Sequence, residues 1–194
     1  MLERVWSDTV EAWSAHAIDL SGVMARRDAA VREWAWAVPT PEAIAAIAAW
    51  SPILEVGAGT GYWARLLAEA GADVVATDSG RTPGAGRWWP VERVDAVSSV
   101  RRWPGRALLM VWPSWGESWA AEALAAYAGD RFLYVGEPRL VERGGSVEEG
   151  ATGDARFHAL LGEGWLAERV VPVKVWPLLR DRLVVYARRP LQPS

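Results

Sequence analysis

Ile53-Leu54-Glu55-Val56-Gly57-Ala58-Gly59-Thr60-Gly61-Tyr62 reads as a short buried strand, a glycine turn and the first turn of a helix. Pro52 precedes the apolar run, where proline can start a strand but not sit inside one. Beyond the turn, Trp63, Leu66, Leu67 and Ala70 recur at helical spacing, which predicts a helix ending at Gly71. Val74-Val75-Ala76-Thr77-Asp78 is then a second buried strand that finishes on a carboxylate. Strand, glycine turn, helix, strand and terminal acid form a βαβ unit suited to a nucleotide.

The spacing of the glycines narrows the ligand. A dinucleotide fingerprint needs G-x-G-x-x-G, whose third glycine brings helix and sheet close together. Here the glycines fall at 57, 59 and 61, and Tyr62 stands where that third glycine would be. The pyrophosphate cradle is therefore broken. Glycine main chain still allows a ligand to approach closely, Glu55 can pair with an ammonium group, and Asp78 is placed to accept ribose hydroxyls. The order acid, G-x-G-x-G, helix, strand, acid resembles motif I of the class I S-adenosylmethionine (SAM) methyltransferases. The resemblance covers residues 51–188 in order of elements, with the specific motif confined to 53–78. It implies a SAM site of Glu55, Gly57, Ala58, Gly59, Gly61, Asp78 and Ser79, with S-adenosylhomocysteine as product. A weaker similarity, through Trp34-Ala35-Trp36-Ala37-Val38-Pro39, Val111-Trp112-Pro113 and Tyr134-Val135-Gly136-Glu137, is to small bacterial methyltransferase-like proteins without a clear substrate.

Composition sets outer limits. The 194 residues suit one domain, 51% hydrophobic and 23% charged. No run of eighteen apolar residues occurs, and the acidic start (Glu3, Asp8, Glu11) does not look like a signal peptide. With no cysteine there are no disulfides or thiolate ligands, and a cytoplasmic location is expected. The net charge of -3, with Arg and Asp/Glu interspersed, argues against a nucleic-acid partner. Lys174 is the single lysine among 21 basic residues, a bias that points to a GC-rich bacterial genome. His16 and His158 are far apart in sequence, and no metal-ligand spacing is present. The 14 tryptophans stand out. Some belong to the core, and several at strand ends would wall an aromatic pocket.

Ahead of the motif, residues 1–50 predict helices: one through Val5, Thr9, Ala12 and Trp13, and one from Val23 to Trp36. A third is expected from Pro41 to Trp50, capped by Thr40. The resemblance implies that this extension lies over the cofactor as a lid, with His16, Trp34 and Trp36 as candidates for its inner face; plain packing on the sheet is the alternative. Residues 51–190 form the Rossmann-like core. Its third strand is expected near Trp89–Val94, and the resemblance gives Asp95 the adenine amine.

Ala107–Trp112 is an uncharged apolar run, expected to be a central parallel strand. It ends in Trp112-Pro113-Ser114-Trp115, and ligands of doubly wound sheets bind beyond the carboxyl ends of strands. The segment resembles motif IV of amino-group methyltransferases, but Trp112 replaces the polar residue that would hold a target amine. Trp112, Pro113, Trp115 and Trp36 are the acceptor-binding candidates, Trp112 also bordering the cofactor. Gly116–Ala128 predicts a helix and Arg131–Val135 a strand ending at Glu137. Residues 142–154 predict a polar, mobile loop, followed by a short helix carrying His158. Trp165–Trp176 and Leu183–Ala187 form an antiparallel hairpin. The expected architecture is an α/β, doubly wound, mostly parallel sheet with that hairpin at its end and extra N-terminal helices.

If an acceptor needs a base, His158 and Glu137 are the candidates, His158 by its near-neutral pKa and Glu137 by its place past a central strand. The leading function is transfer of a methyl group to N or O of a small, flat or hydrophobic molecule. A protein or RNA methyltransferase, and a non-methylating SAM-binding member of the fold, are the alternatives.

Overall fold

Among the described residues seven strands form one sheet, in the spatial order Glu92–Arg93, Val74–Asp78, Ile53–Val56, Ala107–Val111, Arg131–Gly136, Arg182–Arg188 and Trp165–Pro172. The computed structural model describes residues 1–81, 84–138, 140, 141, 147, 148, 150 and 152–190. The strands are β1 (Ile53–Val56), β2 (Val74–Asp78), β3 (Glu92–Arg93), β4 (Ala107–Val111), β5 (Arg131–Gly136), β8 (Trp165–Pro172) and β9 (Arg182–Arg188). β1 to β5 run parallel, and β9 lies antiparallel between β5 and β8. From β1 the chain first builds outward to β2 and β3, then returns to place β4 on the other side of β1. That reversal is the topological switch point, where a crevice opens between neighbouring strand ends. Gly57 follows β1 and Trp112 follows β4, so the two motifs meet there.

Side chains alternate across the sheet with period two. Leu108 and Met110 face one core with α5 (Ala96–Arg102), α6 (Trp119–Ala126) and α7 (Ala155–Gly164). Leu109 and Val111 face another with α3 (Pro41–Ala48) and α4 (Tyr62–Glu69). β1 is buried along its whole length, as a central strand covered on both faces must be. Side-chain caps start several of the helices. Thr40 Oγ1 takes the Ala43 N–H at 3.1 Å with Pro41 at the first position, and Asp154 Oδ1 takes Phe157 N–H at 2.8 Å.

α1 (Leu2–Ser14) and α2 (Leu20–Glu33) pack through Leu2 and Ala30 on Trp176, Val38 and Tyr62. Tryptophans staple this extension to the core by donating indole N–H groups to main-chain carbonyls. Trp6 bonds Val175 at 2.7 Å, Trp63 bonds Ala37 at 3.2 Å, Trp88 bonds Glu33 at 2.6 Å and Trp176 bonds Trp36 at 3.3 Å. Each ring buries apolar area while its single polar atom is satisfied, which accounts for part of the unusual tryptophan content.

Several boundaries differ from expectation. α2 stops at Glu33, because Trp34 leaves helical geometry and the chain to Val38 runs as a linker bridged to Lys174. β4 ends at Val111, since Trp112 has φ 54°, a left-handed conformation that breaks the ladder. The third strand is only Glu92–Arg93. α6 runs from Trp119 to Ala126, not from Gly116 to Ala128. Its end is set by Tyr127, whose hydroxyl donates to the carbonyls of Arg106 and Arg131. β8 ends at Pro172, four residues before Trp176. The loop expected at 142–154 lies partly outside the described residues. Within it, β7 (Val147–Glu148) pairs antiparallel with β6 (Leu140–Val141), so that stretch is strand.

Candidate active site

Gly57 has φ 74° and Gly61 φ 79°, values that favour glycine. Neither has room for a side chain: a Cβ on Gly57 would lie 2.8 Å from the Trp119 ring, and one on Gly61 2.9 Å from the Trp89 carbonyl. The segment around Trp88 closes on the turn, with Gly86 N–H donating to Gly59 O at 3.1 Å and Trp88 N–H to Thr60 O at 2.9 Å. From the other side the Thr60 hydroxyl donates to the Trp34 carbonyl, and Arg87 pairs with Glu33. The glycine turn is thus clamped between the end of α2 and the segment before β3.

Asp78, buried at the end of β2, accepts Gly59 N–H at 3.1 Å through Oδ2 and Gly80 N–H at 2.8 Å through Oδ1. It therefore ties its own strand end to the glycine turn as well as standing where the ribose acid was expected. Ser79 beside it is exposed. Asp95 is an exposed N-cap, its Oδ1 accepting Ser98 N–H at 2.9 Å, which holds its carboxyl below the ordinary aspartate value.

A cavity of about 300 Å³ lies over the turn. Its floor is Glu55, Gly57, Ala58, Gly59 and Val111, and its far wall is Val31, Trp34, Ala35 and Trp36 from the end of α2 and the linker. Glu55 is 1% exposed, and its Oε2 has no hydrogen-bond partner. Burial pushes its carboxyl up to about 8, against the pull of the Ala64 main chain and with a further push from Asp78. A buried carboxylate oxygen left without a partner on the floor of a cavity is a place for a cationic group.

A second cavity, about 550 Å³, opens beyond Trp36. Arg27, Trp112, Ser114, Trp115, Glu137 and Leu179 line it. Trp36 borders both cavities and stacks on Trp112, ring centroids 5.0 Å apart and planes within 6°. Arg27 lies over both rings, at 5.2 Å and 5.7 Å. Of the expected acceptor residues, Trp36, Trp112 and Trp115 therefore meet here, with Pro113 buried beneath them.

The two expected bases separate. Glu137 is buried in this cavity and accepts from Arg180 Nε at 3.4 Å. Its main chain is locked by Thr152, whose hydroxyl accepts from Glu137 N–H and bonds its carbonyl. His158 instead borders a smaller cavity of about 100 Å³ beyond Trp115, with Nε2 bonded to the Thr152 carbonyl at 2.7 Å. His16, expected on the inner face of the extension, lies in the α1–α2 turn and borders a different pocket with Trp13 and Asp19. That turn is set by a left-handed His16 at φ 55°.

Sequence reasoning missed two residues. Asp181 is 5% exposed, and neither carboxylate oxygen closes a hydrogen bond of normal geometry. Burial pushes it up to about 6, and Glu137 pushes further. The Trp112 indole N–H and Arg27 oppose both. It reaches the crevice because β9 is antiparallel: Arg182 pairs with Gly136, so the residue before β9 lies beside the residue after β5. The Leu183–Ala187 strand pattern and the hairpin held that signal. Arg27, a mid-helix arginine of α2, carried none.

No protein-family model matches the chain, and no curated protein matches it in sequence. Solved structures do. The magnesium protoporphyrin IX methyltransferase of Synechocystis PCC 6803, solved with bound SAM, aligns over 96% of this chain and 94% of its own, at 14% identity and TM-score 0.51. Its form with bound S-adenosylhomocysteine aligns over 96% and 97%, with the same identity and score. The chain has the class I methyltransferase fold. Mitomycin 7-O-methyltransferase also matches, at 18% identity and TM-score 0.48 over 76% of this chain, which spans about half (53%) of that enzyme. The antiparallel C-terminal hairpin expected from sequence is thus part of a methyltransferase fold. Among the described residues no helix is long and apolar enough to cross a membrane, and no cluster of three metal-ligating side chains occurs.

Proposed function

We propose that this protein is a SAM-dependent methyltransferase that moves a methyl group to N or O of a small, flat acceptor. The observation that carries the reading is the pair of cavities at the switch point that share Trp36 in their walls. One has a polar floor on glycine main chain, the other aromatic walls.

The residues of the first cavity fit SAM. Glu55 would take the ammonium group, and Gly57, Ala58 and Gly59 the close main-chain approach; Asp78, outside that lining but bonded to Gly59 N–H at the next strand end, would take the ribose hydroxyls. Asp95 and Trp112 are retained as the adenine-side candidates. Bound SAM supplies a sulfonium-activated methyl group, open to in-line attack by an unprotonated nucleophile. The protein's part is to hold the acceptor in line and keep water out, which supplies much of the acceleration. Residues 1–50 serve as the lid, since Trp34 and Trp36 close the cavity from above. Where the acceptor must lose a proton, Glu137 stands in the acceptor cavity and is preferred to His158. A cytoplasmic bacterial enzyme remains the expected setting.

Calorimetric titration with SAM, S-adenosylhomocysteine and NAD tests the reading. Micromolar binding of the first two and none of NAD is expected. Failure of both sulfur compounds to bind would overturn it.

A further inference from the structure

Arg27 is the cation set against the aromatic wall of the second cavity. Its side chain is only 12% exposed, its Nε is buried, and among the described residues the guanidinium closes no hydrogen bond. Its one ion-pair contact, to Asp28, is 3.9 Å long, and beyond that it lies over the faces of Trp36 and Trp112. A largely buried cation is ordinarily retained with hydrogen-bonded partners, because its desolvation is otherwise uncompensated. Cation–π contact returns only part of that cost. The guanidinium therefore lacks the planar, two-oxygen partner its fork is shaped for.

The other charges of the cavity do not fill that role. Glu137 is engaged with Arg180, and Asp181 bonds neither Arg27 nor Trp112 with normal geometry. A cationic acceptor would meet Arg27 over the rings it needs to stack on. An anionic one would find a charged fork beside an indole wall.

Resting on the methyltransferase reading for which cavity takes the acceptor, we propose that this cavity selects a planar aromatic acid. Its ring stacks in the Trp36–Trp112–Trp115 enclosure and its carboxylate is held by Arg27. Ser114 stands at the same rim to take a second polar group.

The test uses tryptophan fluorescence quenching of the full-length protein by 2-naphthoate, 2-naphthamide and cyclohexanecarboxylate. The amide keeps the ring and loses the charge; the last keeps the charge and loses the ring. Naphthoate should bind at least about tenfold more tightly than either, the scale of one hydrogen-bonded charge pair. Arg27→Gln should abolish the preference over naphthamide, and Arg27→Lys, which keeps the charge without the fork, should retain part of it. Equal binding of naphthoate and naphthamide by the wild-type protein would overturn the proposal, as would an undiminished preference in Arg27→Gln. Wild-type selectivity is readable even if a variant does not fold. S-adenosylhomocysteine affinity, measured separately by calorimetry, keeps the two failures apart. Lost S-adenosylhomocysteine binding sinks the methyltransferase reading, and lost charge selectivity with that binding intact sinks only this proposal.

Discussion

The two cavities on either side of Trp36 are built from different materials. The first stands on main chain: a glycine turn of fixed dihedrals, two carboxylates at neighbouring strand ends, and carbonyls holding the tryptophans that clamp it. The second is assembled from side chains brought by α2, the linker after it, the segment after β4, the residue after β5 and Leu179 ahead of β9. Main-chain sites tolerate few changes, because a displaced backbone atom moves everything bonded to it. Side-chain sites can be retuned one residue at a time. Substitutions in the first cavity should therefore act on binding and folding together, and those in the second mainly on chemistry, with smaller effects on stability.

The largest expected effect is at Asp78. Asp78→Ala removes the ribose acceptor of the proposed site and leaves the N–H groups of Gly59 and Gly80 without their carboxylate. SAM affinity should fall by about a hundredfold or more, and stability by roughly 1–3 kcal/mol for each N–H stranded. Calorimetry and urea unfolding measure the two. Near-normal affinity would break the ribose assignment, and lost affinity at unchanged stability would deny the structural tie. Gly61→Ala ranks next. A left-handed alanine costs about 1–2 kcal/mol, and its Cβ must displace main chain at Trp89. A total loss near 3 kcal/mol is expected in urea unfolding. An alanine accepted within 0.5 kcal/mol, roughly the scatter of surface substitutions, would mean the clamp is loose.

The same contrast explains what the sequence discloses. The acid–glycine turn–acid unit is legible because its spacing, 55 to 78, lies within one βαβ and its glycines are demanded by geometry rather than by neighbours. The individual strands are legible for the same reason: apolar runs with glycine and proline punctuation are local signals. The acceptor side is not local. Arg27 and Asp181 lie at opposite ends of the chain; the hairpin pattern bears on where Asp181 falls, and nothing local to α2 announces Arg27. Trp112 was visible as an aromatic at a strand end, but its left-handed backbone was not, since no glycine marks it. His158 is the better base by residue type alone, but the helix carrying it turns it toward the Thr152 carbonyl.

Glu55 gives a test that sharpens the comparison through pH. Its carboxyl is raised by burial to about 8 in the folded protein. Between the ordinary carboxylate range and about 8, the folded state holds a proton that the unfolded state has released. Stability must therefore fall as pH rises through that window, by up to about 1.4 kcal/mol per pH unit. Glu55→Gln should flatten the slope and raise the melting temperature at pH 8 relative to wild type, while weakening SAM. Binding of an ammonium group favours the ionised carboxylate, so wild-type SAM affinity should rise from pH 6 toward pH 8. A flat profile in thermal melts of the wild type would remove the buried-acid argument.

The smallest effect separates strain from packing at Trp112. At an ordinary position alanine is more stabilising than glycine by about 0.5–1 kcal/mol. Trp112 has φ 54°, where the order should reverse, because glycine escapes a left-handed penalty of about 1–2 kcal/mol and alanine does not. Both variants lose the stack on Trp36, about 0.5–1.5 kcal/mol, and that common loss cancels when they are compared with each other. Trp112→Gly should then unfold at higher urea than Trp112→Ala by a margin near 1 kcal/mol, with turnover reduced at least about tenfold in both if the indole holds the acceptor in line. Equal turnover loss with reversed stability order assigns the indole to the acceptor and the backbone strain to its placement. Were alanine the more stable of the two, the left-handed turn would relax once the ring is gone. The indole itself, and not the strand end, would then be what sets the geometry between the cavities.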